Sequence, residues 1–542
     1  MADLKQDDTN FKKQTNMLSL HPNEKIDLDK HSETSNEGDF DDIFKSNRLL
    51  GYTDAIMATS ATFLVVPIKD LKSTDAKTFS DYLIEMRTEF IMFFLGFTIV
   101  LTIWENMNVR SIFVKRVDDF ILTLVILEML ATIILPFAIY LQGSCPNDYV
   151  PIVLTCCGLG FIQILDMSIL FYATENPKLL HIQMQKWSKK ELRKFRDIVL
   201  VRPVLCLILV VLGGLFFLVH YAISWVFIAI LTVMPVLRSL FLYIRRRKET
   251  PNSIKKYQFY FYFSKKNIQK ERIEVMSDAA FAIIVSLLIL DITTHFSQEV
   301  QKTGFNLNHE LKISLQEFYT FLATFGIVST LWYVNHCVLH LFRTVPVIAL
   351  YIQKFFLAFC CLCPLAANMI LQFGIKGDHK SSSSIHYASL IVFCASMGNF
   401  FLFLYGFLTK DKYFYQWATF GRTFQTMSQQ NKYIIFKVLN VPFWSLLCAL
   451  CSLSPQNIAL YILCGCFLAT PTSFFVAKLV FMHRVAKSLS SKESSLKQGN
   501  NTKQFSESFE KDNEDELKNN VSFKLQNAHE NEISLDDENF DP

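Results

Sequence analysis

Twelve runs of about 20 mostly apolar residues, each long enough to cross a hydrocarbon core, constrain this chain more than any other feature. They cover roughly 49–68, 90–108, 118–142, 150–173, 197–219 and 222–244, then 274–293, 315–341, 346–373, 387–408, 432–453 and 457–482. Lipid offers the backbone no hydrogen-bond partner, so segments this long read as α-helices and not as barrel strands. Pro67, Pro136, Pro235, Pro364 and Pro471 are expected at helix ends or kinks. Hydrophobic residues make up 51% of the chain and charged residues 19%. Those charges crowd into both tails and a few connections. The fold class is therefore all-α, a polytopic membrane protein of about twelve transmembrane helices.

The formal net charge of +4 sums segments on two sides of a membrane and says little about partners. Membrane lipid is an expected partner and nucleic acid is not. Most cysteines sit inside apolar runs, among them Cys156, Cys206, Cys360 and Cys448. There Cys behaves as a small hydrophobe, not as part of a disulfide framework. No signal peptide is read before the first run, because roughly 47 polar residues precede it. Segments 1–44 and 483–542 lack aliphatic periodicity and are expected to be disordered tails.

One stretch occurs twice. Arg48-Leu-Leu-Gly-Tyr-Thr53-Asp54-Ala55 opens the first run, and Arg272-Ile-Glu-Val-Met-Ser277-Asp278-Ala279 opens the seventh. In each, Arg stands six residues before Asp, a hydroxyl residue precedes the Asp, and the offset is 272 minus 48, or 224 residues. A match at so long a period indicates internal duplication. Residues 45–244 then form one six-helix repeat and 272–482 another, joined by a basic linker, 245–271. Six is even, so both repeats begin on the same side and are parallel. One set of loops (109–117, 174–196, 245–272, 342–345, 409–432) carries roughly 25 Lys and Arg against roughly 8 in the opposite set. The basic set shares its side with both termini, which are expected to be cytosolic. The sequons at Asn500 and Asn520 fall in the cytosolic tail and carry no glycan in this reading.

Asp54 and Asp278 lie about a turn and a half inside their helices, where a carboxylate is costly unless paired. The upstream Arg is too far around the helix for an i,i+4 pair. Each Asp is expected to cap or to pair with a neighbouring helix or loop, and both a tie between helices and a role in ion entry fit. Glu105, Glu128, Asp166 and Lys354 also fall inside spans and are read as interhelical bonds or helix ends. His336 and His340 share one helical face. That spacing suits packing or a metal, but no third ligand is evident, so no metal or other cofactor is expected. There is no Gly-rich phosphate loop, no carbonyl filter, no Arg ladder and no catalytic triad, so an enzyme is not expected. Down the first helix of each repeat run Ala55, Thr59, Thr62, Val66 and Ala279, Ile283, Ser286, Leu290. Such stripes suit either close helix packing or the wall of a pore.

Two six-helix repeats, each opened by a form of Arg-x-x-x-aromatic-Ser-Asp-Gly/Ala in which Tyr52-Thr53 and Met276-Ser277 replace the usual Phe-Ser, resemble the endosomal and lysosomal potassium channels, the family called transmembrane protein one-seventy-five. The Leu331-Trp332-Tyr-Val-Asn-His336 segment is a second shared feature, with Trp104 as its partner in the first repeat. The resemblance covers about 45–485. It implies a potassium-permeable channel of endosome and lysosome membranes, built as a homodimer, with protons and sodium as further candidate ions. Four first helices would surround one pore narrowed by an isoleucine ring. Those isoleucine positions fall on Thr59 and Ile283, with backing positions at Ala58, Thr62 and Ser286 and a further narrowing at Val66 and Leu290. A register one residue different would place Ser60 or Ala58 at the narrow point. Thr59 replaces an expected Ile, Ala58 an expected Ser, and Ala279 an expected Gly. A mixed Ile/Thr ring would dewet less readily and conduct more freely, with altered selectivity. The alternatives are a secondary transporter with duplicated halves and a non-conducting scaffold. Glu175-Asn-Pro-Lys-Leu179-Leu180 fits an acidic dileucine sorting signal.

Overall fold

The computed structural model describes residues 44–45, 47–69, 79–248, 270–303, 315–376, 382–415, 418, 429–454 and 456–499. The first repeat holds α1 (Asn47–Phe63), α2 (Arg87–Phe113), α3 (Asp119–Ser144), α4 (Tyr149–Glu175), α5 (Lys189–Phe216) and α6 (Tyr221–Lys248). The second holds α7 (Lys270–Thr303), α8 (Leu315–Leu339), α9 (Val347–Cys361), α10 (Ser382–Leu408), α11 (Gln429–Cys451) and α12 (Gln456–Gly499). Among the described residues, 11 helical stretches are long and apolar enough to cross a membrane, and in α6 the apolar stretch is the shorter Tyr221–Met234. The fold is an all-α polytopic bundle of two six-helix repeats. A two-residue antiparallel pair departs from it, β1 (Phe44–Lys45) against β2 (Arg116–Val117).

Several boundaries differ from the sequence reading. The helix of α6 runs into the expected basic linker, to Lys248, and α7 begins at Lys270. Residues 249–269 between them lie outside the described residues. The last helix continues past 482 to Gly499. The rest of that tail, with Asn500 and Asn520, and the segment 1–43 also lie outside the described residues.

Local chemistry accounts for the helix ends. Asp118 caps α3 by accepting the Ile121 N–H at 2.9 Å. Ser188 and Glu191 form a reciprocal capping box on α5, satisfying two otherwise orphaned donors. The regular helix α1 stops at Phe63, four residues before Pro67, because proline lacks an N–H and its ring displaces the carbonyl four residues back. A short helical segment, Val66–Lys69, resumes the path. In α9 the helix is interrupted at Leu362, beside Pro364, and continues as Cys363–Met369 and a π-helical Ile370–Lys376.

Packing places α1 at the junction of the first repeat with the second. It contacts α2, α3 and, across the repeat boundary, α7, while α7 packs on α8 and α9. Trp104, Phe93 and Phe97 of α2 are fully buried in this core. Leu130, Ile133 and Phe137 of α3 and Leu215 of α5 face outward, as expected where the surroundings are lipid and apolar surface costs nothing to expose.

Candidate functional site

The two copies of the motif make the same contact. Trp104 Nε1 donates to Asp54 Oδ1 at 2.7 Å, and Trp332 Nε1 donates to Asp278 Oδ1 at 2.7 Å. Each bond ties the first helix of a repeat to its second. An indole N–H buried in an apolar bundle needs an acceptor, and a carboxylate at that depth needs donors.

The arginines are used unequally. Arg272 Nη2 lies 2.6 Å from Asp54 Oδ1, so the second motif's Arg serves the first motif's Asp. Asp54 is 1% exposed. Asp278 is exposed, and so is Arg48. Neither makes an ion pair among the described residues. Each Asp thus bonds to a neighbouring helix, one of the outcomes expected, but an ion pair forms in one copy only.

The hydroxyl residues also diverge. Ser277 is 1% exposed and joins a buried amide network. It donates to Asn335 Oδ1 at 3.3 Å and accepts from Gln353 Nε2 at 3.3 Å, while Asn335 Nδ2 donates to Asn399 Oδ1 at 2.8 Å. Thr53 instead turns back to Leu50 O at 2.8 Å. It lines a cavity of about 40 Å³ with Met107, Ser111, Val125 and Ile169. Sequence reasoning missed Asn335, Gln353 and Asn399. Their signal was three amides inside apolar runs, where such groups are expensive unless joined.

His336 stacks on Trp332 with ring centroids 5.9 Å apart, and His340 stacks on His336 at 6.4 Å. Burial, with Lys270 and His336 nearby, holds His340 below the usual imidazole range. No group of three or more His, Cys, Asp or Glu able to hold a metal occurs among the described residues.

The stripes divide into buried and open positions. Ala58 and Thr62 are 0% exposed within the chain. Thr59, Val66 and Ile283 are half-buried, and Ser286 and Leu290 are exposed. Thr59 Oγ1 donates to Ala55 O at 2.8 Å and Ser286 Oγ donates to Ala282 O at 2.9 Å. With its hydrogen committed to its own helix, each hydroxyl keeps its oxygen lone pairs for another group.

Glu105, Glu128, Asp166 and Lys354 all find partners. Lys354 Nζ lies 2.9 Å from Glu105 Oε2, joining α9 to α2. Arg110 holds Glu128 at 2.7 Å and also pairs with Asp166. Arg110, read from sequence as part of a basic loop, is 7% exposed and belongs to the last turn of α2. The dileucine reading is also corrected. Leu179 and Leu180 are 2% and 1% exposed, so they pack inside the protein and do not form a linear surface signal.

Fold and site together define a duplicated multi-pass membrane protein in which each repeat is headed by an Asp-bearing helix clamped by a tryptophan. A family model described as endosomal/lysosomal potassium channel TMEM175 matches the chain twice, over residues 48–136 and 272–364. Both matched segments begin at a motif Arg and cover the first three helices of their repeat. Over these two segments the chain is similar to this family. A Danio rerio protein named "Endosomal/lysosomal proton channel TMEM175" is 26% identical over 390 residues, covering 69% of this chain and 73% of its own length. A Gallus gallus protein of the same name is 27% identical over 390 residues, covering 69% and 76%. A Mus musculus protein of that name is 24% identical over 450 residues, covering 80% and 87%.

Proposed function

We propose that this chain is a cation channel of endosomal and lysosomal membranes, passing potassium and protons passively through a pore lined by α1 and α7. The observation that carries it is the double family match, which begins in both repeats at the Asp-bearing first helix. The family description speaks of potassium and the relatives' names of protons, and both ions belong to the proposal.

Two chains bring four first helices to one axis. The narrow point is formed by Thr59 and Ile283, with Val66 and Leu290 forming a second apolar narrowing. Ser286 stands one turn from Ile283 with its oxygen free to meet a partly dehydrated cation. Ala58 and Thr62 belong to the contact between helices, because they are already covered within one chain. A hydrophobic constriction gates by dewetting, and the Thr59 hydroxyl lowers that barrier relative to an all-isoleucine ring. Both termini face the cytosol in this reading, supported by the Lys/Arg bias of the loops.

The test is a current recording from organelle membranes carrying the protein, with potassium on one side and sodium on the other. Reversal towards the potassium equilibrium potential supports the proposal. A reversal that follows the proton gradient assigns protons as the main carrier. No current, with the protein shown to be in the membrane, refutes it and favours a transporter or scaffold.

A further inference from the structure

Lys437 differs from Lys354 and Arg110. It is 8% exposed and lies about two turns inside α11, at a depth where a cation is costly unless matched. Its Nζ donates to Tyr333 Oη at 2.6 Å and to Cys337 Sγ at 3.6 Å, and it makes no ion pair among the described residues. An ammonium carries three donors, so one is left over. Two rings flank the charge, with Nζ 4.6 Å from the Tyr333 centroid and 4.5 Å from that of Tyr433. Ring faces attract a cation but do not neutralise it.

The surroundings add positive charge. Phe474 and Phe481 of α12 pack on Tyr333 and Tyr433, with centroids 6.4 and 4.8 Å apart. Lys478 stands four residues after Phe474 and three before Phe481, hence on the same helical face. It is exposed, and so is Arg484. No Asp or Glu occurs from Gln429 to Lys492. Tyr333 and Phe436 are each 38% exposed, so the cage opens on the outer face of the bundle. With twelve spans, α11 starts on the side of the termini, and the opening lies in the leaflet on that side.

We infer that Lys437 and Lys478 hold the headgroup phosphate of an anionic phospholipid, seated between α8, α11 and α12 in the leaflet on the side of the termini. The phosphate supplies the negative charge that this part of the chain lacks. Lys437 meets it from inside with its remaining donor, and Lys478 meets it from the rim; such charge-assisted bonds are the strong ones. The two tyrosine rings keep water from the buried ammonium. Phe475 and Leu479 of α12, both exposed, offer the acyl chains an apolar track. A choline headgroup carries its own cation beside the phosphate and meets repulsion from Lys478, so the site selects lipids with net negative charge. Basic pockets between spans on one side of the membrane suit such headgroups. The site uses α8, α11 and α12, none of which lines the proposed pore, so it stands apart from the channel reading.

The test uses the full chain in detergent, titrated with phosphatidylinositol phosphate or with phosphatidylcholine of the same acyl chains. Native mass counts bound lipid, and thermal melting follows the fold. Wild type should take up the anionic lipid in preference to phosphatidylcholine and melt higher with it. Lys437→Met should weaken that uptake about tenfold, the loss of one hydrogen bond between charged groups. Lys437→Arg keeps the charge and should bind clearly better than Lys437→Met. Lys190→Met, at an exposed lysine early in α5, should change nothing. Uptake by Lys437→Met equal to wild type overturns the inference. Where Lys437→Met does not fold, Lys478→Met on the rim decides, and unchanged uptake there overturns it as well. Soluble inositol phosphate at equal concentration should leave the lipid bound; displacement would assign the site to a free phosphate and overturn the lipid reading. Binding is read without current, so a chain that binds the lipid and does not conduct refutes the channel reading alone.

Discussion

Lys354 and Glu105 meet at 2.9 Å across 249 residues of chain, a buried ion pair binding the third helix of the second repeat to the second helix of the first. Both side chains are at most 8% exposed. Removing one partner of such a pair leaves a charge without compensation. Lys354→Met should cost about 3–5 kcal/mol. Thermal melting in detergent would show it as a clear drop, with much of it recovered in Glu105→Gln/Lys354→Met. A single variant as stable as the parent would mean that water or another group satisfies Glu105.

The two tryptophan clamps look alike in distance but differ in setting. Trp104 is 1% exposed, whereas Trp332 is 39% exposed. Trp104→Phe should therefore cost about 1.5–3 kcal/mol, the range for a hydrogen bond to a charged group. Trp332→Phe should cost clearly less in the isolated chain. Equal losses in a denaturation series would contradict the difference in burial.

Thr59→Ile restores the isoleucine at the proposed narrow point. The current at a given driving force should fall severalfold, with protein abundance unchanged, because an all-apolar ring dewets more readily. Thr62→Val is the matched control. Its hydroxyl donates to its own helix at Ala58 O and Thr59 O and is covered within the chain, so its effect on current should be small. If Thr62→Val blocks current and Thr59→Ile does not, the helix register is wrong.

Gly398 brings α10 against α9. A Cβ there would meet Phe356 Cβ at 2.8 Å and its Cα at 2.9 Å, and backbone cannot step aside as a flexible side chain can. Gly398→Ala should destabilise by about 1–3 kcal/mol through overpacking. A melting temperature within error of the parent would show that the two helices can separate freely.

Much of this arrangement was legible in the residues. Twelve apolar runs became twelve long helices because membrane-depth backbone has no other way to satisfy its polar groups. The repeated Arg-to-Asp spacing marks α1 and α7, and the resemblance pairs Trp104 with Trp332. The buried status of Arg110 was not legible. A cation at the edge of an apolar run looks like a loop residue until two carboxylates from α3 and α4 are seen to reach it. The amide network around Asn335 was hidden for the same reason, since its members lie on α7, α8, α9 and α10.

The sequence by itself determined the class of fold, the duplication and the two helices that matter most, because length, hydropathy and motif spacing are properties of one segment at a time. Only the tertiary structure decided that Arg272 serves Asp54, that Ala58 and Thr62 are covered while Ala282 and Ser286 are not, and that Lys354 meets Glu105 while Arg110 meets Glu128 and Asp166. In a lipid-facing helix both faces are apolar, so the pattern that would reveal the packed side in water is erased. Which side chains meet then depends on how neighbouring helices are rotated and staggered, and that is set by packing among them.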